Sequence, residues 1–235
     1  MPPAMTSPSA TPTLIFDCDG VLIDSEILVC GLVAEELTAH GYPISVPDVI
    51  ARFAGRPEPE MIAEIERDRG GRPLPERFLS CVRSRITQAY ATDLRPVPGV
   101  AEVLGRVRAP VCVASSSTPA KLRLGLETTG LLRHFSGNVV SAAAVARGKP
   151  APDVFLYAVG WMRADIRDCV VIEDSVPGVT AARAAGLRTF GFTGGGHCAP
   201  DLAERLVAAG AERVIGRMDA LLEVLPEAFA ERIAA

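Results

Sequence analysis

Lysine is nearly absent from this sequence: Lys121 and Lys149 are its only two, in 235 residues with 22 arginines. No basic stripe exists either. The 28 acidic residues outnumber 24 lysines and arginines, giving a formal charge of -4, which argues against nucleic acid as a partner. The six cysteines (Cys18, Cys30, Cys81, Cys112, Cys169 and Cys198) contain no CxxC pair, so neither a zinc site nor a disulfide framework is signalled. Cys112 and Cys169 lie in apolar runs and read as small buried hydrophobes. No apolar stretch approaches the ~20 residues that a membrane span needs, and no basic-then-apolar leader marks export. These absences predict a protein of the reducing cytoplasm, with neither a membrane nor a nucleic-acid partner.

What is present fits a folded chain. Apolar residues make up 49% and charged residues 22%, which excludes wholesale disorder. Residues 1–12 hold four of the 19 prolines without apolar periodicity and read as a disordered tail. Beyond it, short apolar runs at 13–16, 111–114, 138–140, 169–172 and 188–192 read as strands buried on both faces. Helical patterns lie between most of them. Thr118-Pro119 resembles an N-cap with proline at the first helical position, and Pro177 opens another helix that Gly186 ends. Strands separated by helices predict an α/β fold, a Rossmann-like parallel-sheet core. Between residues 27 and 95 no strand is evident. Phe78, Val82, Ile86 and Tyr90 fall four apart, as do apolar positions around Met61, Ile62 and Ile65, until Pro96 and Pro98 punctuate the chain. An all-helical insert at 27–95 therefore divides a core formed by 13–26 and 96–235.

Ligands in such sheets bind beyond the carboxyl ends of the strands, which selects four places. Asp17-Cys18-Asp19-Gly20 follows the first strand. Two carboxylates there are costly to bury unless a hard cation compensates them, and beside a metal the first, Asp17, could act as a nucleophile, although an ordinary turn or helix cap reads the same. Ser115-Ser116-Ser117 precedes a helix start, where hydroxyls and free N–H groups suit an anion or simply cap the helix. Lys149, within Arg147-Gly148-Lys149-Pro150, is a compact point charge in an arginine-rich chain, or a plain loop lysine. Glu173-Asp174-Ser175 repeats the paired acids at another strand end. Four carboxylates, a lysine and a serine cluster at one sheet edge point to a cation-assisted site for an anionic substrate.

On these residues the chain resembles the haloacid dehalogenase superfamily, in the helical-cap branch that includes sugar-phosphate phosphatases and β-phosphoglucomutase. The stretch from Phe16 through Asp17, Asp19 and Gly20 to Glu26 is similar to the first motif, Ser115 to the second, Gly148-Lys149-Pro150 with Asp153 to the third, and Glu173-Asp174 with Gly178 to the fourth. The resemblance implies Asp17 as the nucleophile that forms an aspartyl-phosphate and Asp19 as general acid/base. It implies one Mg²⁺ held by Asp17, the Asp19 main-chain carbonyl, Asp174 and Glu173. Ser115, Lys149, Gly20, the Ser116 N–H and Ser117 would hold the phosphoryl group. The helical insert would be a cap, hinged near 24–26 and 94–98, with Asp24 and Glu26 as hinge or capping residues. The presence of Asp19 argues against dehalogenation.

The resemblance thus implies a Mg²⁺-dependent phosphatase for a small phosphomonoester, a sugar phosphate above all, working as a monomer. A β-phosphoglucomutase-type mutase is the alternative within enzymes, since it needs a cap cation for the distal phosphate. Alignment on Gly55 puts Glu58 at that position, with Arg56 nearby. A non-catalytic phosphate-binding protein is the alternative of another class. Arg52, Arg56, Glu58 and the region of Arg83 are the expected sources of substrate specificity. Trp161 and Phe155 read as core, the three histidines show no ligand spacing, and Gly194-Gly195-Gly196-His197 reads as a plain connecting loop ahead of the alternative, a flexible loop bordering the site.

Overall fold

Four consecutive buried residues, Thr13–Phe16, form β1 at the centre of a six-stranded parallel sheet of order β3-β2-β1-β4-β5-β6. The computed structural model describes residues 11–53 and 58–230; the expected tail and Arg56 fall largely or wholly outside them. The other strands are β2 (Val111–Ser115), β3 (Val139–Ser141), β4 (Cys169–Glu173), β5 (Arg188–Phe192) and β6 (Arg213–Ile215). Parallel strands covered on both faces need apolar residues at every position, so these read as continuous runs rather than alternations. Leu14, Val113, Val170 and Phe190 fill one face of the sheet, and Ile15, Cys112, Ala114 and Val171 fill the other. The protein is α/β, and the sheet order is that of a Rossmann-like core.

The order of strand addition switches sides at β1, because β2 and β4 flank it on opposite sides. Register then fixes which residues meet. Phe16 pairs with Val113 and with Ile172, so Asp17 emerges one step beyond, level with the ends of β2 and β4. Ser115 pairs with Ser141, and Glu173 with Gly191. A parallel sheet thus delivers the carboxyl ends of four strands to one edge.

Among its described residues the segment between β1 and Pro96 contains helices joined by turns and no strand. It comprises α1 (Ser25–Ala39), α2 (Val46–Phe53), α3 (Glu58–Asp68) and α4 (Phe78–Thr92). These helices bury an apolar cluster of their own, with Leu37, Phe53, Ile65, Phe78 and Val82 among its members. The chain enters and leaves them side by side: Ile23 bridges Pro96, the Asp24 N–H donates to the Arg95 carbonyl at 2.9 Å, and the Val97 N–H to the Leu22 carbonyl at 3.0 Å.

Core helices follow: α5 (Val100–Arg106), α6 (Pro119–Thr128), α7 (Asp153–Met162), α8 (Val176–Ala184), α9 (Leu202–Ala208) and α10 (Leu221–Val224). Thr118 caps α6 by accepting the Lys121 N–H, and Ser175 caps α8 by accepting the Gly178 N–H at 3.1 Å. Gly186, at φ +80°, turns the chain out of α8.

Two expectations are corrected. β6 was not foreseen: it is three residues long with only Val214 and Ile215 apolar, and pairing with β5 creates it. Trp161 is 54% exposed, whereas Phe155 is fully buried. Each helical residue turns ~100°, so six positions carry Trp161 about 240° away from Phe155, onto the outer face. Phe155→Ala is accordingly expected to cost about 3–5 kcal/mol in urea unfolding, and Trp161→Ser less than about 0.5 kcal/mol. Similar costs for both would contradict the packing described.

Candidate active site

Lys149 carries its ammonium into a pocket where its side chain is only 5% exposed. It donates to Asp17 Oδ1 at 2.6 Å and to Glu173 Oε1 at 2.7 Å. Asp174 completes the group, and one carboxylate oxygen from each of Asp17, Glu173 and Asp174 lies within 4.8 Å of the others. Three carboxylates against one ammonium leave two negative charges uncompensated in a buried place. The consequence is electrostatic: burial pushes the Asp17 carboxyl well up, aided by Glu173 and Asp174 and only partly offset by Lys149. Burial likewise lifts Asp174 to about 6. The donor set fits a divalent hard cation, since it is all oxygen and lacks two positive charges.

Two glycines make this closeness feasible. A Cβ on Gly178 would fall 1.7 Å from Glu173 Oε1, so glycine there lets the carboxylate sit against the start of α8. The Ser175 N–H and hydroxyl both donate to Glu173 Oε2, at 2.6 and 2.9 Å. Gly20, at φ +82°, leaves room for Asp174, whose Oδ2 would lie 1.9 Å from a Cβ.

Asp19 stands outside the carboxylate cluster, leaving only its main-chain carbonyl for the expected metal role. Its Oδ1 accepts from Ser25 at 2.6 Å and Tyr90 at 3.1 Å and pairs with Lys121 at 3.2 Å, while Oδ2 accepts from Ser117 at 2.6 Å. Burial alone would raise its pKa, but Lys121 and the hydroxyl donors outweigh burial and hold Asp19 below the usual carboxylate range. No local pattern marks Lys121, whose approach to Asp19 depends on the turn at 115–118 that leads into α6.

The remaining candidates are placed as follows. Ser115 is buried at the end of β2, where its Oγ accepts the Ser117 N–H at 3.1 Å, and Ser116 is exposed. Asp24 does not cap α1 with its side chain; it accepts the Gly196 N–H at 2.9 Å. Burial, with Asp19 nearby, raises Glu26. Arg52 is held by Glu64, Asp68 and Tyr42 within the helical segment, and Arg83 pairs with Glu58. Gly55 and Arg56 lie outside the described residues. The glycine loop is corrected from a mere connection: it brings His197 Nε2 to 3.1 Å from Asp174 Oδ2.

The raised Asp174 has a consequence for stability. The folded state holds this proton more tightly than the unfolded chain, so its contribution is lost as pH rises from about 4 through about 6. Metal-free protein is therefore expected to melt at a lower temperature at pH 7 than at pH 5, with a smaller fall in Asp174→Asn. An undiminished fall in the variant, seen by calorimetry in chelator, would remove Asp174 as its source.

Comparison with known proteins agrees with this geometry. A sequence model of the haloacid dehalogenase-like hydrolases matches residues 11–186. The chain is 25% identical over 187 residues to 6-phosphogluconate phosphatase of Escherichia coli, covering 80% of this chain and 85% of that protein. It is 34% identical over 179 residues to fructose-1-phosphate phosphatase of the same organism, covering 74% and 92%. A hydrolase structure from Deinococcus radiodurans with bound phosphate and sodium superposes with a TM-score of 0.85 at 30% identity, covering 94% of this chain and 97% of the other. The family match spans well over half the sequence and contains every carboxylate of the edge cluster together with Lys149, so the chain belongs to the haloacid dehalogenase-like hydrolases.

Proposed function

We propose that the protein is a Mg²⁺-dependent phosphatase of a small phosphorylated metabolite, a sugar phosphate, acting through an aspartyl-phosphate on Asp17. The observation that carries this reading is the split between two carboxylates two residues apart. Asp17 lies in the buried cluster with Lys149, and Asp19 is held ionised outside it by Lys121, Ser117 and Ser25. The two acids thus have separate surroundings: a cation beside Asp17 would offset the burial that resists its ionisation and free it to attack, while Asp19, clear of that cation, is left for proton transfer. The likeness to two sugar-phosphate phosphatases supports the substrate class.

In this reading Asp17, Glu173 and Asp174 would hold Mg²⁺, with the Asp19 carbonyl as a further oxygen ligand. The ion would supply charge neutralisation for the phosphoryl oxygens and the nucleophile. Lys149 lowers the cost of ionising Asp17 and offers its ammonium to a phosphoryl oxygen. Asp17 attacks phosphorus, and the ester oxygen leaves with a proton from Asp19, which must enter this step protonated and so needs the donors that hold it ionised to loosen. The same Asp19 then takes a proton from the water that cleaves the acyl phosphate, restoring Asp17 and releasing phosphate. Ser115, Ser116 and Ser117, at the end of β2, supply hydroxyl and N–H donors to the transferring group.

The helical segment serves as the cap, and the paired entry and exit stretches at 23–24 and 95–97 are the hinge. Closure would exclude water and add substrate contacts. Phosphatase action is favoured over the mutase because Glu58, which the resemblance aligns with the mutase cation, carries a negative charge and pairs with Arg83. Residence in the cytoplasm and a monomeric state belong to the same proposal; free thiols at all six cysteines are consistent with a reducing compartment.

Phosphorus NMR of the protein with Mg²⁺ and a panel of phosphomonoesters, β-glucose 1-phosphate included, is expected to show growing inorganic phosphate. Conversion of that ester to glucose 6-phosphate without phosphate release would install the mutase, and an unchanged spectrum the binding protein. Asp17→Asn is expected to lower turnover at least about 1,000-fold, and Asp19→Asn about 100- to 10,000-fold, with both folds intact by circular dichroism. Near-wild-type rates in Asp17→Asn would eliminate the covalent route.

A further inference from the structure

The loop after β5 brings to the site a side chain that the proposed reaction leaves unused. Its three glycines sit where no side chain fits. A Cβ on Gly194 would stand 2.5 Å from the Phe192 ring, one on Gly195 2.8 Å from the Gly20 carbonyl oxygen, and one on Gly196 2.9 Å from Asp24 Oδ2. Glycine at each position lets the backbone press between the turn after β1 and the strand that enters the helical segment. The Gly196 N–H is then bonded to Asp24, which anchors the loop one residue before His197.

The histidine is placed with corresponding tightness. Its Nε2 is 3.1 Å from Asp174 Oδ2, its side chain is 12% exposed, and its Cε1 edge covers Gly20, where a Cβ would lie 2.7 Å away. Nδ1 is buried without a hydrogen-bond partner. A buried N–H lacking an acceptor costs more than an unpaired ring lone pair, so in the neutral ring the proton belongs on Nε2, facing the carboxylate. Gly20 and His197 both lie against Asp174.

We propose that His197 is a positioning residue for Asp174: its Nε2–H fixes Oδ2 and thereby presets the orientation in which the carboxylate meets a divalent cation. The inference rests on the reading of Asp17, Glu173 and Asp174 as the cation site. Like-charged neighbours would otherwise turn Asp174 away, and every rotamer lost on binding would weaken the site. Hydrogen-bonded supports of ligating carboxylates are typically worth ~10–100-fold in metal affinity. The ring itself stays outside the oxygen cluster, so it acts through Asp174 and not as a ligand.

The test is calorimetric titration of Mg²⁺ into the substrate-free protein. His197→Met, which keeps bulk and removes the donor, is expected to weaken Mg²⁺ binding about 10–100-fold, whereas His197→Gln, which keeps a donor, should stay within roughly threefold of wild type. Metal-free melting curves of both variants report the fold. Affinity unchanged in His197→Met, with binding lost in Asp174→Asn, would overturn the positioning role alone; so would tighter binding in His197→Met, which would mark the ring as a competitor of the cation. Unchanged affinity in Asp174→Asn would instead overturn the cation site and the inference with it. A reading without substitution comes from ¹⁵N-imidazole NMR of the wild-type protein. The His197 Nε2–H should be protected from exchange and shift on Mg²⁺ addition, and a freely exchanging, unmoved resonance would count against the proposal.

Discussion

The contact on which the active edge depends is the Lys149 ammonium between Asp17 and Glu173. Burying three carboxylates beside one another is prohibitive unless something positive is buried with them, and breaking such an arrangement by removing one partner leaves an uncompensated charge. Lys149 reduces that penalty without cancelling it. The remainder appears as upward-shifted carboxyls at Asp17 and Asp174, a cost borne in the folded protein and relieved by whatever cation the site takes. The fold serves this contact in small ways. Gly178 surrenders a side chain to make room for Glu173, Ser175 spends both its N–H and its hydroxyl on the same carboxylate, and Phe155 sets its ring 4.9 Å from the ammonium.

Much of this edge was legible because it obeys a one-dimensional rule. In a parallel sheet, the residue after each apolar run arrives at the same edge, so Asp17, Ser115 and Glu173-Asp174 could be gathered from strand ends alone. Lys149 is different: it follows no strand directly, and its contrast with 22 arginines was the only local signal. Residues that reach the edge through space left less trace. Lys121 arrives from the first turn of α6, and His197 from a loop whose path depends on three glycines avoiding Phe192, Gly20 and Asp24. A run of glycines reads as slack in a sequence, and here it is tight packing. β6 escaped for the opposite reason, since a three-residue edge strand has too few positions to show any pattern.

Asp17 and Asp19 show how little separation chemistry needs when the surroundings differ. One extended step and a turn carry their side chains to different partners: a carboxylate cluster for Asp17, three hydroxyls and an ammonium for Asp19. Strand-end position and cation chemistry already suggest Asp17 as a nucleophile, whereas the role of Asp19 comes through resemblance. Their pKa values are displaced in opposite directions, because burial beside like charge resists ionisation at Asp17 and a ring of donors favours it at Asp19, so an attacking Asp17 would need a cation beside it and a proton-donating Asp19 a loosening of its donors.

The donors around Asp19 also connect the two halves of the protein. Ser117 and Lys121 belong to the sheet-bearing core, whereas Ser25 begins α1 and Tyr90 lies on α4 of the helical segment. Position of that segment and charge state of Asp19 are therefore coupled: each hydroxyl that withdraws removes part of what offsets burial. The arginines that could have given the segment a purely electrostatic grip on substrate are largely spent within it, Arg52 on Glu64 and Asp68, Arg85 on Glu35 and Glu36. A segment stitched together internally can move as one piece, and two of the donors that set the charge state of Asp19, Ser25 and Tyr90, change partners when its placement changes relative to the core.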